Sequence, residues 1–387
     1  MKVTFPHMGN LYIVLESLFE NLGTEVVVPP FCTKRTLELV VRHSPEFACL
    51  PLKINVGNFI EALENGADTI VMAGGIGPCR FGYYGEVERE ILKDLGFDFK
   101  MVIVEPPKNN FLKLVSDIRV LTNRKQNSLK NIVKAAIIAW KKAILLDIAD
   151  MKLSQIRPKE KIKGQTDKKY KEVIHKIKDI KKEAELDEYK AVMLETFDSI
   201  ETIKDKTFPK IGIVGEIYTV LEPFVNLDIE SELNSLGAEV YRSVYLTDWV
   251  RINLFPSFLK PKDYKEMLKL AEPYIKRFIG GHGQETVAQI ASFAKNGFDG
   301  VIHLLPFTCM PEIVAKSAIP RVAKDYSIPV MTLVLDEHSA KAGVGTRLEA
   351  FIDMINQKKE MSEDNSYLSK IYHENSDIDN EKVLSNK

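Results

Sequence analysis

Residues 73–85 read A-G-G-I-G-P-C-R-F-G-Y-Y-G, directly after the apolar run Thr69–Met72 and before a predicted helix over Glu86–Leu95. An apolar run feeding a glycine-rich turn and then a helix is the signature of a buried parallel strand with its crossover. Cys79 then lies at the mouth of a strand-to-helix turn, where glycines let backbone crowd close to something bound. A helix N-terminus favours an anion there, and a thiolate is one.

Working outward, the same alternation recurs on both sides. Lys2–Pro6 predicts a first strand and Gly9–Asn21 a helix, closed by Gly23 before the strand Thr24–Val28 and the Pro29-Pro30 break. Lys34–Arg42 predicts a helix, Phe47–Leu50 carries Cys49, and Ile54–Glu64 predicts a further helix closed by Asn65-Gly66. Met101–Glu105 is the next strand, completing a doubly wound α/β domain over 1–108. From 109 to 207 glycine and proline are scarce and lysines crowd at helical spacing, as in Lys159–Tyr170 and Lys171–Lys190, predicting a helical connecting segment with a solvated face. Lys210–Gly215 opens a second alternation, followed by Ala238–Val240, Gly300–Leu305 and Ser327–Leu335 as strands and Arg347–Lys358 as a closing helix. That makes a second α/β domain over 208–360, with a polar, disordered tail over 361–387.

Composition narrows the function. Lysine plus arginine (53) nearly balance aspartate plus glutamate (54), so no global field argues for nucleic acid or an anionic membrane surface. No uncharged apolar run is long enough to span a bilayer, and Met1–Pro6 carries no basic region ahead of an apolar core. Four cysteines in 387 residues suit a reducing cytoplasm better than a disulfide framework. The P-loop, the G-x-S-x-G elbow and H-E-x-x-H are all missing, and Gly212-x-x-Gly215 is too incomplete for a dinucleotide fingerprint.

The chemistry-bearing residues cluster at predicted strand ends, where open α/β sheets bind ligands. Cys49 stands in F-A-C-L-P-L-K, Cys79 in G-P-C-R-F-G and Cys309 in P-F-T-C-M-P-E, each read as lying between a strand and a helix with proline near. Their spacing fits neither a zinc finger nor a small ferredoxin motif. Singly, each could be a small buried hydrophobe; three in matching turns point to a shared ligand in an interdomain cleft. Cys32 follows the same pattern and is either a candidate fourth ligand or a free thiol nearby. Arg80 would offset an anionic ligand, Thr308 would supply a hydroxyl or cap a helix, and Glu216 stands where a strand meets a loop. His282 and Glu285 lie in G-G-H-G-Q-E-T, which would form a nest of N–H groups and side chains. Asp336, Glu337 and His338 follow the last strand, ahead of Gly343-Val344-Gly345, Arg347 and Glu349; turn caps and surface ion pairs explain these equally well. His303 reads as a satisfied core histidine.

The stretches F-P-H-M-G-N at 5–10, C-L-P-L-K-I-N-V-G-N-F at 49–59 and M-A-G-G-I-G-P-C-R-F-G-Y-Y-G at 72–85 carry a resemblance, as do G-G-H-G-Q-E-T at 280–286, P-F-T-C-M-P-E at 306–312 and D-E-H-S-A-K-A-G-V-G-T-R-L-E-A-F at 336–351. Across both α/β halves the chain resembles the 2-hydroxyacyl-CoA dehydratase superfamily, most closely its activase-related branch. The resemblance implies two Rossmann-like domains and an iron–sulfur cluster between them, held by Cys49, Cys79 and Cys309. Arg80, Glu216, His282 and Thr308 would surround it. In that superfamily a separate ATP-hydrolysing activase of actin-like fold supplies one electron, which dehydratases pass to a substrate thioester. Four cysteines cannot supply the six ligands of the related double-cubane proteins, so a single [4Fe-4S] cluster is implied.

The expectation is therefore a cytoplasmic iron–sulfur protein, in a homodimer or heterodimer, passing low-potential electrons to a small substrate such as an acyl-CoA. It would be a dehydratase-like lyase or a low-potential reductase component. A non-catalytic electron-relay subunit is the alternative; a fourth thiolate from Cys32 would favour it by closing the last iron. A cluster-free protein binding a phosphate-bearing ligand in the same cleft is the third reading.

Overall fold

The computed structural model describes residues 1–75, 78–105, 118–122, 128–254 and 262–361. Short apolar runs form β1 (Lys2–Thr4), β2 (Glu25–Val26), β3 (Thr69–Ala73) and β4 (Lys100–Val104), and in the second half β5 (Lys210–Gly215), β6 (Glu239–Arg242), β7 (Gly300–Pro306) and β8 (Val330–Leu335). All pairings between these strands are parallel, in the orders β2-β1-β3-β4 and β6-β5-β7-β8. The described residues thus form an α/β fold with two four-stranded parallel sheets. Every residue of β7 is buried, as a central strand covered on both faces requires.

Winding reverses between β1 and β3 in one sheet and between β5 and β7 in the other. The loops that leave these four strands carry His7, Cys79, Glu216 and Cys309. Such crevices at strand carboxyl ends are where open parallel sheets receive ligands.

The helices of the first half are α1 (Leu11–Asn21), α2 (Lys34–His43), α3 (Leu50–Glu64) and α4 (Phe81–Asp94). Helix α3 starts four residues before the expected Ile54, because Pro51 suits the first turn, where its missing N–H costs nothing. All of its residues except the last are buried. Leu50 and Ile54 pack into the core of the second sheet, while Leu52, Val56, Phe59 and Ile60 pack into that of the first. Lys53, Asn55, Asn58 and Glu61 are buried along with the apolar residues, so the helix is enclosed on every side and wedges between the two sheets. Phe47–Leu50 is not a strand, so Cys49 stands in a turn between two helices.

The middle segment forms α5 (Leu129–Ile156), α6 (Gln165–Asp179) and α7 (Glu183–Asp198). It is more than a solvated face. Ile138, Leu145, Val173, Ile177, Met193 and Phe197 make a core of their own, which continues onto Ile13 and Val14 of α1. The expected Lys159–Tyr170 helix is broken by Gly164 in left-handed conformation; the lysines over 159–190 are exposed or half-buried, whereas Lys142 is buried. The second half adds α8 (Ile217–Leu221), α9 (Ile229–Ser235), α10 (Leu246–Leu254), α11 (Lys262–Lys269), α12 (Gly283–Lys295), α13 (Met310–Asp325) and a closing helix, α14, over 341–361. Gly343 and Gly345 lie inside α14 rather than in a loop ahead of it. The expected domain boundary at 108–109 and the tail from 362 onward fall outside the described residues. Among the described residues, no helix is long and apolar enough to cross a membrane.

Candidate functional site

Cys49 is the N-cap of α3 and Cys309 the N-cap of α13, each followed by a proline in the first turn; Cys79 stands two residues before α4. A backbone N–H of the following turn points at each sulfur: Leu52 for Cys49, Phe81 for Cys79 and Glu312 for Cys309. Three helix N-termini therefore present both a thiol and a donor that would stabilise it as a thiolate.

The three turns are tied together. Arg80, exposed, donates to the Phe47 carbonyl at 3.1 Å, to the Thr308 hydroxyl at 3.0 Å and to the Thr308 carbonyl. Thr308 Oγ1 donates to the same Phe47 carbonyl at 3.1 Å. Phe47 precedes Cys49, Arg80 follows Cys79 and Thr308 precedes Cys309, so one guanidinium spans all three. Thr308 adopts φ +66°, a left-handed backbone uncommon outside glycine. The G-G-H-G turn closes the other side. A Cβ on Gly281 would lie 3.8 Å from Cys79 Sγ, and one on Gly280 only 2.7 Å from the Cys79 backbone nitrogen.

Glu216 faces all three thiols and raises the pKa of each. Burial is the larger cause throughout: it pushes the Cys49 thiol up to about 11, and lifts Cys79 and Cys309 as well. Glu216 is the N-cap of α8, accepting from Tyr218 N at 3.0 Å and from Thr219 N at 2.9 Å. Its own pKa is raised by burial and opposed by these bonds and by His282 nearby. The side chain is half-buried. Beside the thiol turns opens a cavity of about 830 Å³, lined by Phe47, Pro78, Arg80, Phe307, Thr308 and Lys316 among others.

Two participants escaped sequence reasoning. Tyr84, one helical turn beyond Arg80, hydrogen-bonds through its hydroxyl to Cys49 Sγ. Glu312, fully buried, accepts from Thr286 Oγ1 at 2.9 Å and lies 2.9 Å from His303 Nε2. His303 is a core histidine with both ring nitrogens engaged, the second on Thr332. Tyr84 and Glu312 stood inside motifs whose cysteines drew attention; their helical offsets from Arg80 and Cys309 were the available signal.

The remaining candidates lie elsewhere. Glu285 accepts from Tyr264 OH at 2.7 Å, and Asp336 caps its own turn through His338 N and Ser339 Oγ. Glu337 pairs with buried Lys53 at 2.5 Å, joining the two halves. Arg347 donates to the Thr332 carbonyl at 2.9 Å, while His338 and Glu349 are exposed. Cys32 keeps different company: Glu222, Asn58, Tyr218 and Glu61 surround it, and burial pushes its thiol up to about 12. Among the described residues, His7, Cys32 and Glu222 are the one group of three potential ligands whose donor atoms all lie within 4.8 Å of one another; the three turn thiols are spread more widely. Neither protein-family models nor curated proteins match the chain.

Proposed function

We propose that Cys49, Cys79 and Cys309 hold a [4Fe-4S] cluster between two Rossmann-like halves, and that the protein carries electrons in the manner of the 2-hydroxyacyl-CoA dehydratase superfamily. It would accept low-potential electrons from an ATP-dependent, actin-fold activase and pass them to a small substrate such as an acyl-CoA. Four free thiols suit the reducing cytoplasm in which such chemistry runs.

The supporting observation is the convergence of three thiols, each at a helix N-terminus, upon one half-buried carboxylate. The donor set fits the group: thiolates hold iron–sulfur clusters, and their spread exceeds what a single ion with metal–sulfur bonds of about 2.3 Å would draw together. Glycines at 280 and 281 keep side chains out of the space beside Cys79. When bound, the cluster would supply one-electron chemistry at low potential.

The chain's own groups would do the rest. Arg80 offsets the negative charge and locks the three turns; Leu52, Phe81 and Glu312 N–H groups direct their dipoles at sulfur; and the Tyr84 hydroxyl holds Cys49 in place. Glu216 opposes further negative charge and so keeps the potential low. The cavity beside Arg80 and Thr308, with Phe47 and Phe307 as apolar walls and Lys316 as a cation, would bind the substrate. Cys32, grouped with His7 and Glu222, favours a three-thiolate cluster with a position open to a small ligand over a fully ligated relay.

The test is iron and acid-labile sulfide content after anaerobic purification, with EPR after reduction. About four irons per chain are expected, the stoichiometry of one cubane, with iron falling sharply in Cys309→Ala. Iron unchanged by that substitution, or no iron after reconstitution, overturns the reading.

A further inference from the structure

We propose that His7, Cys32 and Glu222 form a separate site for a divalent, borderline-soft cation of the zinc class, joining the two halves of the chain. His7 leaves the end of β1 and Cys32 precedes α2, whereas Glu222 is the C-cap of α8. A ring nitrogen, a thiol sulfur and a carboxylate oxygen lie within 4.8 Å of one another, and all three residues are buried. Bond lengths of about 2.0–2.3 Å at a tetrahedral zinc place ligand atoms roughly 3.3–3.8 Å apart, so little adjustment closes the set. Nitrogen, sulfur and oxygen together suit zinc better than calcium or magnesium, which take oxygen alone.

The observation that points to a ligand is on His7. Its Nδ1 lies 2.9 Å from Glu222 Oε2, but Nε2 is fully enclosed and has no hydrogen-bond partner. A buried ring nitrogen without a partner marks an incomplete polar cluster, and a divalent cation replacing the Nδ1 proton between His7 and Glu222 would bring in Cys32 as its third ligand. The surroundings are already arranged. Gly9 N–H donates to Glu222 Oε2 at 2.8 Å, Tyr218 OH donates to the His7 carbonyl at 2.7 Å, and the Asn58 carboxamide lies 3.6 Å from Cys32 Sγ. The Phe31 ring packs edge-on to His7 at 4.9 Å and Tyr12 stacks at 5.9 Å, giving an apolar wall. A thiolate and a carboxylate would match a divalent cation's charge inside a low-dielectric site.

The five-residue helix α8 sets this group at one end and Glu216, with the three turn thiols, at the other. A cation on Glu222, His7 and Cys32 would therefore fix the spacing between the sheets without touching the turn thiols. The inference does not rest on the cluster reading.

The experiment is a cobalt titration of the full-length, anaerobically reconstituted protein, followed by zinc competition. A thiolate-to-cobalt charge-transfer band saturating at a single equivalent and displaced by zinc is expected. That band should survive Cys309→Ser and disappear in Cys32→Ser. His7→Gln should weaken cobalt binding by more than about 100-fold, beyond what loss of an outer-shell partner costs. No band in the wild-type protein, or a band indifferent to Cys32→Ser, overturns the site, and the first outcome needs no variant to fold. Iron and sulfide counts on the same samples report the turn thiols separately, so either reading can fail while the other stands.

Discussion

Arg80 and Thr308 join the two halves of the chain between the thiol turns: the guanidinium grips both the hydroxyl and the carbonyl of Thr308, and Thr308 holds its left-handed backbone so that both oxygens face it. Arg80→Met removes these bonds, the contact to Phe47, and a positive charge felt by the Cys49 and Cys79 thiols. Loss of a positive charge disfavours adding an electron. The midpoint potential of the bound cluster should move negative by tens of millivolts, about 59 mV corresponding to 1.4 kcal/mol for one electron. Iron retention on gel filtration should fall too. An EPR-monitored redox titration checks both, and an unshifted potential removes Arg80 from its assigned role.

Glu216→Gln acts in the opposite direction. Glu216 raises all three thiols, so a neutral isostere should shift the potential positive, again by tens of millivolts. The wild-type potential should fall as pH rises through Glu216's own elevated titration, since the ionised carboxylate then opposes reduction; in Glu216→Gln this pH dependence should flatten. The same redox titration at several pH values tests it.

The parallel strands were legible because their apolar runs are unbroken, Gly300–Leu305 matching β7 almost residue for residue. Helix starts were not. Gly82 and Gly85 read as turn residues, yet both lie in α4, where a Cβ on Gly82 would meet the Gly75 carbonyl at 2.6 Å and one on Gly85 the Ile103 side chain at 2.6 Å. There glycine serves close packing, a tertiary demand invisible along the chain. Pro51 likewise read as fixing the turn at Cys49, although it opens α3. The thiols' convergence was suggested by their matching turns. Tyr84, Glu312 and the grouping of His7 with Glu222 arise only when elements distant in sequence meet.

Gly280 is another glycine whose role is spatial. It holds φ +84°, and a Cβ there would press on the Cys79 backbone nitrogen. Gly280→Ala carries a left-handed penalty of about 1–2 kcal/mol and should also displace the Cys79 turn, lowering iron content. Gly297→Ala is the control: φ is +72° but nothing lies within 4 Å of the added Cβ. It should cost stability alone, with full iron. Equal iron loss in both variants would detach Gly280 from the site.

Glu88 supplies a pH test of the first half. It is fully buried on α4, one turn beyond Tyr84, with Asn55 Nδ2 donating to Oε1 at 3.3 Å and Oε2 without a partner. Burial pushes its carboxyl from 4.5 up to about 8, the Asn55 bond offsetting part of the rise. The folded state therefore keeps a proton that the unfolded chain has released. Stability contributed by the neutral acid is fully present below about 4.5 and is lost as pH rises towards about 8. The loss is on the order of a few kcal/mol. Glu88→Gln replaces the acid by a permanently neutral amide of the same shape, so it should flatten that decline and leave the variant more stable than wild type at pH 8. Urea unfolding from pH 5 to pH 8 measures both slopes; identical slopes would mean that Glu88 ionises in the folded protein as freely as in the unfolded chain.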